Sequence, residues 1–215
     1  MRKIYLIVMA CMSMFSLKAQ WRVRLQAGVV LSAQPASRDT LTAARKAGGA
    51  VSVTAVYYWG HLGISASLGW FNQKRQPDFI APGDTLIVSG GGISGVPLLV
   101  GPEVCLACGP KVKLHLGFRM GVNPLANRGL RYTRQLQQQV VYQTTLVSKA
   151  PFTWCLSAGG HYYLNDHYGI GLTADYQHFR ITMRNNDTRF TLPVTRTLRQ
   201  SRQLISLDAS IVYKF

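Results

Sequence analysis

Ile205-Ser206-Leu207-Asp208-Ala209-Ser210-Ile211-Val212-Tyr213-Lys214-Phe215 is the stretch on which the reading of this chain turns. Ile205, Leu207, Ala209, Ile211, Tyr213 and Phe215 alternate with Ser206, Asp208, Ser210, Val212 and Lys214. Successive side chains of a strand point to opposite faces, so the segment has one apolar and one mainly polar face. An apolar row that runs up to a terminal aromatic carboxylate suits the closing strand of a transmembrane β-barrel, one face in lipid and the other in a polar lumen.

Upstream, residues 23–31, 51–59, 62–70, 112–122, 152–162 and 170–176 repeat the alternation. Residues 93–104 are less regular, with Leu98 and Val100 expected outward and Glu103 inward. The spacing predicts about eight strands, each of about 9–12 residues, the length that crosses a bilayer at a tilt. The links at 59–61, 105–111 and 165–167 are short, and those at 32–48, 72–92, 123–150 and 184–201 are long. Strict alternation of short and long links fits an all-β, eight-stranded antiparallel up-and-down transmembrane barrel, with short periplasmic turns, long outer loops and both termini periplasmic. Tyr57, Trp59, Trp70, Phe152, Trp154, Tyr162, Tyr213 and Phe215 fall near strand ends, as interfacial aromatic girdles require.

The N-terminus agrees with export. Arg2 and Lys3 precede a mostly apolar run over residues 4–17, and Ala19 is a small residue at the expected cleavage point. That is a secretory signal over residues 1–19, too short for a spanning helix, and it leaves residues 20–215 as one barrel domain. No later stretch of about 18 apolar residues follows, so no helical span is expected. Hydrophobic residues make up 47% of the chain and mean hydropathy is only +0.07, as expected where alternating strands dilute the apolar signal.

The formal charge of +16 remains strongly positive once Arg2, Lys3 and Lys18 leave with the signal. Such a balance ordinarily suggests nucleic acid. Export argues against that, and favours the anionic outer-membrane surface, lipopolysaccharide phosphate above all. Cys11 leaves with the signal, Cys155 is alone, and Cys105-Leu106-Ala107-Cys108 forms a C-x-x-C. A zinc site needs a second ligand pair, which the sequence lacks, and Gly109-Pro110 reads as a turn where a redox motif needs a helix. A local disulfide or two thiols are the remaining readings, and no metal or cofactor is implied.

The stretch Ile93-Ser94-Gly95-Val96-Pro97-Leu98-Leu99-Val100-Gly101-Pro102-Glu103 resembles the I-P-L-L-type strand of the outer membrane protein β-barrel domain family in the porin-like superfamily. The strand over residues 113–121 and the aromatic C-terminus are similar to that family too. The resemblance covers essentially the mature chain. It implies a small barrel of the OmpA/OmpX type, assembled through a C-terminal strand ending at Phe215 that the barrel assembly machinery would recognise. It carries over no catalytic residues.

Inward positions hold Arg22, Arg24, Glu103, Lys113, His115, Arg119, Asp175, Asp208 and Lys214. The interior of an eight-stranded barrel is just wide enough for side chains to fill. Charges there must pair, because unpaired buried ions cost several kcal/mol each. The expected lumen network is therefore Arg24, Glu103, Lys113, Arg119, Asp175 and Asp208, with the carboxylates neutralising the cations. A plug is favoured over an ion path. Arg184, Arg189, Arg196, Arg199 and Arg202 crowd the last long link, where clustered guanidiniums suit phosphate or carboxylate contacts. An enzyme acting on lipid A would need a His and a Ser together on an outward face. His178 is followed by Phe179 and Arg180 with no serine nearby, so no catalytic group is expected. The sequence supports a structural or surface-binding protein, with lipid A modification or a narrow pore as rivals.

Overall fold

The computed structural model describes residues 20–33, 47–73, 79–80, 86–90, 92–127, 131–134, 140–187 and 194–215. The signal expected over residues 1–19 lies outside them. Eight strands among the described residues build the wall: β1 Gln20–Ser32, β2 Gly48–Trp59, β3 Leu62–Gln73, β4 Leu98–Ala107, β5 Val112–Val122, β6 Phe152–Tyr163, β7 Tyr168–Asp187 and β8 Val194–Lys214. Each pairs antiparallel with its neighbour in sequence. β1 also pairs with β8, from Arg22↔Lys214 to Ser32↔Leu204, so the ladder closes on itself. Closure satisfies every strand edge, which is the condition for strands to stand in hydrocarbon.

The irregularity of residues 93–104 has a local cause. Ile93–Gly95 pairs with the end of β3, and the chain then breaks at Val96-Pro97 before β4 begins. The break is stitched by Gly69 N–H donating to the Pro97 carbonyl at 3.0 Å. Within β4, the pairing with β5 skips Gly101 and Pro102, because proline has no N–H to give to a ladder. The three short turns stand at one end with the termini. Gly60 opens the two-residue β2–β3 turn at φ 77°, a conformation that glycine adopts at little cost. Asn165 Oδ1 accepts from the backbone N–H of His167 and Tyr168 at 2.9 and 2.7 Å, fixing the β6–β7 turn.

At the other end the long links differ from expectation. β7 and β8 stay in unbroken register from Tyr168↔Tyr213 to Asp187↔Val194, so most of residues 184–201 is paired ribbon where a loop was expected. Val140–Leu146 adds to the edge of β7, Arg131–Arg134 to that strand, then Leu86–Ser89 and Phe79–Ile80 in turn. The described strands of the links at 72–92 and 123–150 thus extend the same sheet beyond the barrel rim.

The ribbon also changes phase. Along β7, Ile170, Leu172, Ala174 and Tyr176 are the apolar row and face outward; from Phe179 on, the apolar residues Phe179, Ile181 and Met183 are buried inward. Along β8, Ile205, Leu207 and Ile211 are exposed, while Leu204 is buried. No bulge intervenes. What reverses is the environment: below the His178↔Gln203 pair the outside is an apolar belt, and above it the outside is polar. The belt itself includes Leu25, Ile64, Leu68, Leu116, Leu156, Leu172 at 72% exposure and Ile211 at 58%. A continuous exposed apolar surface of this kind marks contact with lipid.

Candidate functional site: a charged lumen and a basic rim

The inward faces are layered. Nearest the turns, Arg22 lies over the Tyr58 ring at 4.3 Å and donates to Cys105 Sγ at 3.2 Å. Next, Glu103 accepts from both Arg24 and the Tyr58 hydroxyl. His115 and His161 stack beside them with ring centroids 4.6 Å apart. Higher, Arg119 donates to Asp175 Oδ1 at 3.1 Å and to Thr54 Oγ1 at 3.3 Å, while Gln26 Oε1 accepts from Thr54 and Ser52. A cavity of about 30 Å³ touches Arg119, Cys155, Asp175 and Asp208, room for water and little else.

Above the charges apolar residues enter the lumen, beside buried Gln73, Asn123 and Thr153. Val30, Phe71, Ile93, Phe179, Ile181, Met183 and Leu204 form one buried cluster, with Phe71 and Phe179 rings 6.4 Å apart. The polar interior expected from the strands therefore needs correction: its loop end holds a buried hydrocarbon cluster, built from residues that the sequence placed in or next to long loops.

Four of the six lumen residues singled out from sequence form ion pairs: Arg24 with Glu103, and Arg119 with Asp175. Two do not. Asp208 accepts from Ser206 Oγ at 2.8 Å and has no ion pair among the described residues. Lys113 is half-buried with Nζ 5.4 Å from the Tyr163 ring centroid, likewise with no ion pair among them. Both sit on the inner face, but the alternation that places a residue there says nothing of its depth or reach.

Among the described residues the cysteines are free thiols. Cys105 and Cys155 are buried in the wall's inner face, and Cys108 is exposed in the β4–β5 turn.

The arginines of the last link do not form one surface. Alternation puts Arg184 and Arg199 on the outer face of the ribbon with Arg180, and Arg196 and Arg202 on the inner face. Arg196 and Arg199 are exposed, whereas Arg202 is half-buried and donates to Gln200. Arg189 lies outside the described residues. Arg180, exposed and paired with Ser201, belongs to the outer group and was missed because the sequence pattern ended β7 too early.

The expectation that His178 has no serine nearby is also corrected. His178 Nε2 and Ser201 Oγ are 2.5 Å apart across the β7–β8 ladder. Both face outward, and the Trp154 ring stacks on the imidazole with centroids 5.2 Å apart. The two residues are 23 positions apart, so only the register brings them together.

At both rims the aromatic girdle is present. Trp21, Tyr57 and Trp59 form a chain at the turn end with centroid separations of 4.9 and 5.9 Å, and Tyr168, Tyr213 and Phe215 another at 5.0 and 4.7 Å. Near the opposite rim Trp154 contacts Phe118 and Tyr176 at 6.4 and 5.5 Å.

No family model matches the sequence, and no curated protein matches it. Solved structures do. The outer membrane protein OprG from Pseudomonas aeruginosa is 13% identical, with a TM-score of 0.66 over 94% of this chain and 98% of its own. A major outer membrane protein from Thermus thermophilus is 14% identical, with a TM-score of 0.55 over 92% of this chain and 100% of its own. At such identities the likeness is one of backbone, and it spans both chains almost completely. Ring closure, an exposed apolar belt, two aromatic rims and these matches agree: this chain has the fold of the small outer-membrane β-barrel proteins.

Proposed function

We propose that this protein is an integral outer-membrane barrel with a closed lumen, and that it acts through its surface by holding anionic glycolipid, lipopolysaccharide in particular. The observation that carries the reading is the ribbon of β7 and β8, which rises past the apolar belt and bears exposed Arg180, Arg184 and Arg199 on its outer face. Guanidiniums just above a lipid-facing belt lie at the depth of phosphate groups, and their planar forks match phosphate geometry. The termini and the short turns face the periplasm, and the ribbon faces outward. The outward aromatic row of β8, with Tyr213 and Phe215, suits recognition by the barrel assembly machinery. The apolar cluster around Phe71 and Phe179 speaks against a pore, because water and ions avoid a hydrocarbon constriction.

The test is titration of the micelle-solubilised protein with lipopolysaccharide over a range of salt. Solvated arginine contacts are worth about 0–1 kcal/mol each, so affinity should come from several together and fall as the screening length shrinks below about 8 Å. The triple variant R180S/R184S/R199S should bind more weakly while keeping its fold. Salt-independent binding, or unchanged binding in the triple variant, would remove the role assigned to the ribbon.

A further inference from the structure

The His178–Ser201 contact stands where the lipid belt ends. His178 pairs with Gln203, and this pair is the level at which the outward row changes from apolar to polar. Immediately above, on the same outer face, are Arg180 and Arg199. Lipid chemistry is arranged in the same order: hydrocarbon, then acyl ester, then phosphate. A hydroxyl within hydrogen-bond reach of an imidazole is a nucleophile beside its base. Here the pair is half-buried on the outside of the wall, and the Trp154 ring, stacked at 5.2 Å, fixes the plane of the imidazole.

We infer that Ser201 and His178 form an ester-hydrolysing pair that acts on the acyl esters of phosphorylated membrane lipid at the outer rim of the barrel. The inference rests on the proposed membrane placement and adds a reaction to the surface described there.

The step balances without any further reagent than water. His178 Nε2 takes the hydroxyl proton as Ser201 Oγ forms a bond to the ester carbonyl carbon. The tetrahedral intermediate collapses, the ester C–O bond breaks, and the departing alkoxide receives the proton from His178. Water then attacks the acyl-Ser201 carbonyl, giving its proton to His178. The carboxylic acid leaves and Ser201 recovers its hydrogen. Arg180, directly opposite Ser201 in the ladder, and Arg199, two residues before it, are placed to hold the lipid phosphate and the developing oxyanion.

The probe is a fluorophosphonate applied to the full chain in detergent micelles, with the adduct mapped by mass spectrometry. The wild-type protein should carry the adduct on Ser201. His178→Asn should slow labelling on the order of 100-fold, the usual scale of general-base assistance. Incubation with phosphatidylethanolamine vesicles and, separately, with vesicles containing lipopolysaccharide should release fatty acid from at least one, and which one identifies the lipid. Ser201→Ala should abolish release. Heat-modifiable gel migration checks that each variant is folded, and both positions are on the outside of the wall. Absence of a Ser201 adduct on folded protein, labelling undiminished in His178→Asn, or no fatty acid from either vesicle would overturn the inference. Flotation with the same vesicles separates the two readings: protein that fails to float fails the membrane placement, and protein that floats without reacting fails only the chemistry.

Discussion

Arg24 on β1 and Glu103 on β4 meet across the barrel interior, and Tyr58 on β2 donates to the same carboxylate. The contact joins strands that are not neighbours in the wall, so it braces the cylinder where the ladder cannot. Removing one partner of a buried pair leaves an uncompensated charge. Glu103→Ala and Asp175→Ala should each cost about 3–5 kcal/mol, read by urea unfolding in micelles. Asp208 accepts from the Ser206 hydroxyl and has no ion pair among the described residues. Asp208→Asn should therefore cost about 0.5–1.5 kcal/mol, the scale of one neutral hydrogen bond. Equal losses at Asp175 and Asp208 would show that depth, not pairing, sets the energy.

The apolar cluster should be both structural and a barrier. Phe179→Ala should destabilise the barrel by about 3–5 kcal/mol through lost burial and a residual cavity. In planar bilayers the wild-type protein should give no steady conductance steps. Steps in the wild type would mean that the cluster opens.

The lipid belt gives a position-dependent expectation. Leu172 is 72% exposed near the middle of the belt, opposite Ala209. Leu172→Arg should cost about 2–4 kcal/mol, as lipid-facing cations do near the midplane. Thr197→Arg, on the ribbon above the belt, should stay within about 0.5 kcal/mol. Folding yield into vesicles measures both.

Orientation can be read from thiols. Cys108 is exposed in a short turn, while Cys105 and Cys155 are buried. On intact cells a bulky maleimide-polyethylene glycol should miss Cys108 and label it once the outer membrane is permeabilised. A Thr197→Cys variant, at an exposed ribbon position, should be labelled on intact cells. The opposite pattern would turn the barrel over.

Much of the wall was legible because lipid outside and polar groups inside leave a period of two. β1, β2, β3, β5, β6 and the lower part of β8 were readable that way. The upper part of β7 was not, since Phe179, Ile181 and Met183 alternate as regularly as Ile170 and Leu172 but in the opposite phase. A rule tied to an apolar outer row ends the strand there. Pairing was readable only as far as inwardness: the strands put Arg24, Glu103 and Asp208 on one face, but they did not say that Arg24 meets Glu103 or that Asp208 turns to a serine hydroxyl instead of a cation. The His178–Ser201 contact and the split of the arginines between two faces depend on β7–β8 register, which no local pattern encodes.

The phase reversal on the ribbon has a consequence for where this barrel can reside comfortably. It fixes the height of the apolar belt from above, as Tyr213 fixes it from below. From Ile205 to Tyr213 the strand rises about 27 Å at about 3.4 Å per residue, and a tilt of about 35–45° reduces that to a height of about 19–22 Å. An average bilayer has a hydrocarbon core of about 30 Å, and mismatch costs fractions of a kcal/mol per ångström. The barrel should therefore thin the lipid around it, insert faster into short-chain than long-chain bilayers, and partition toward the thinnest membrane that the cell provides.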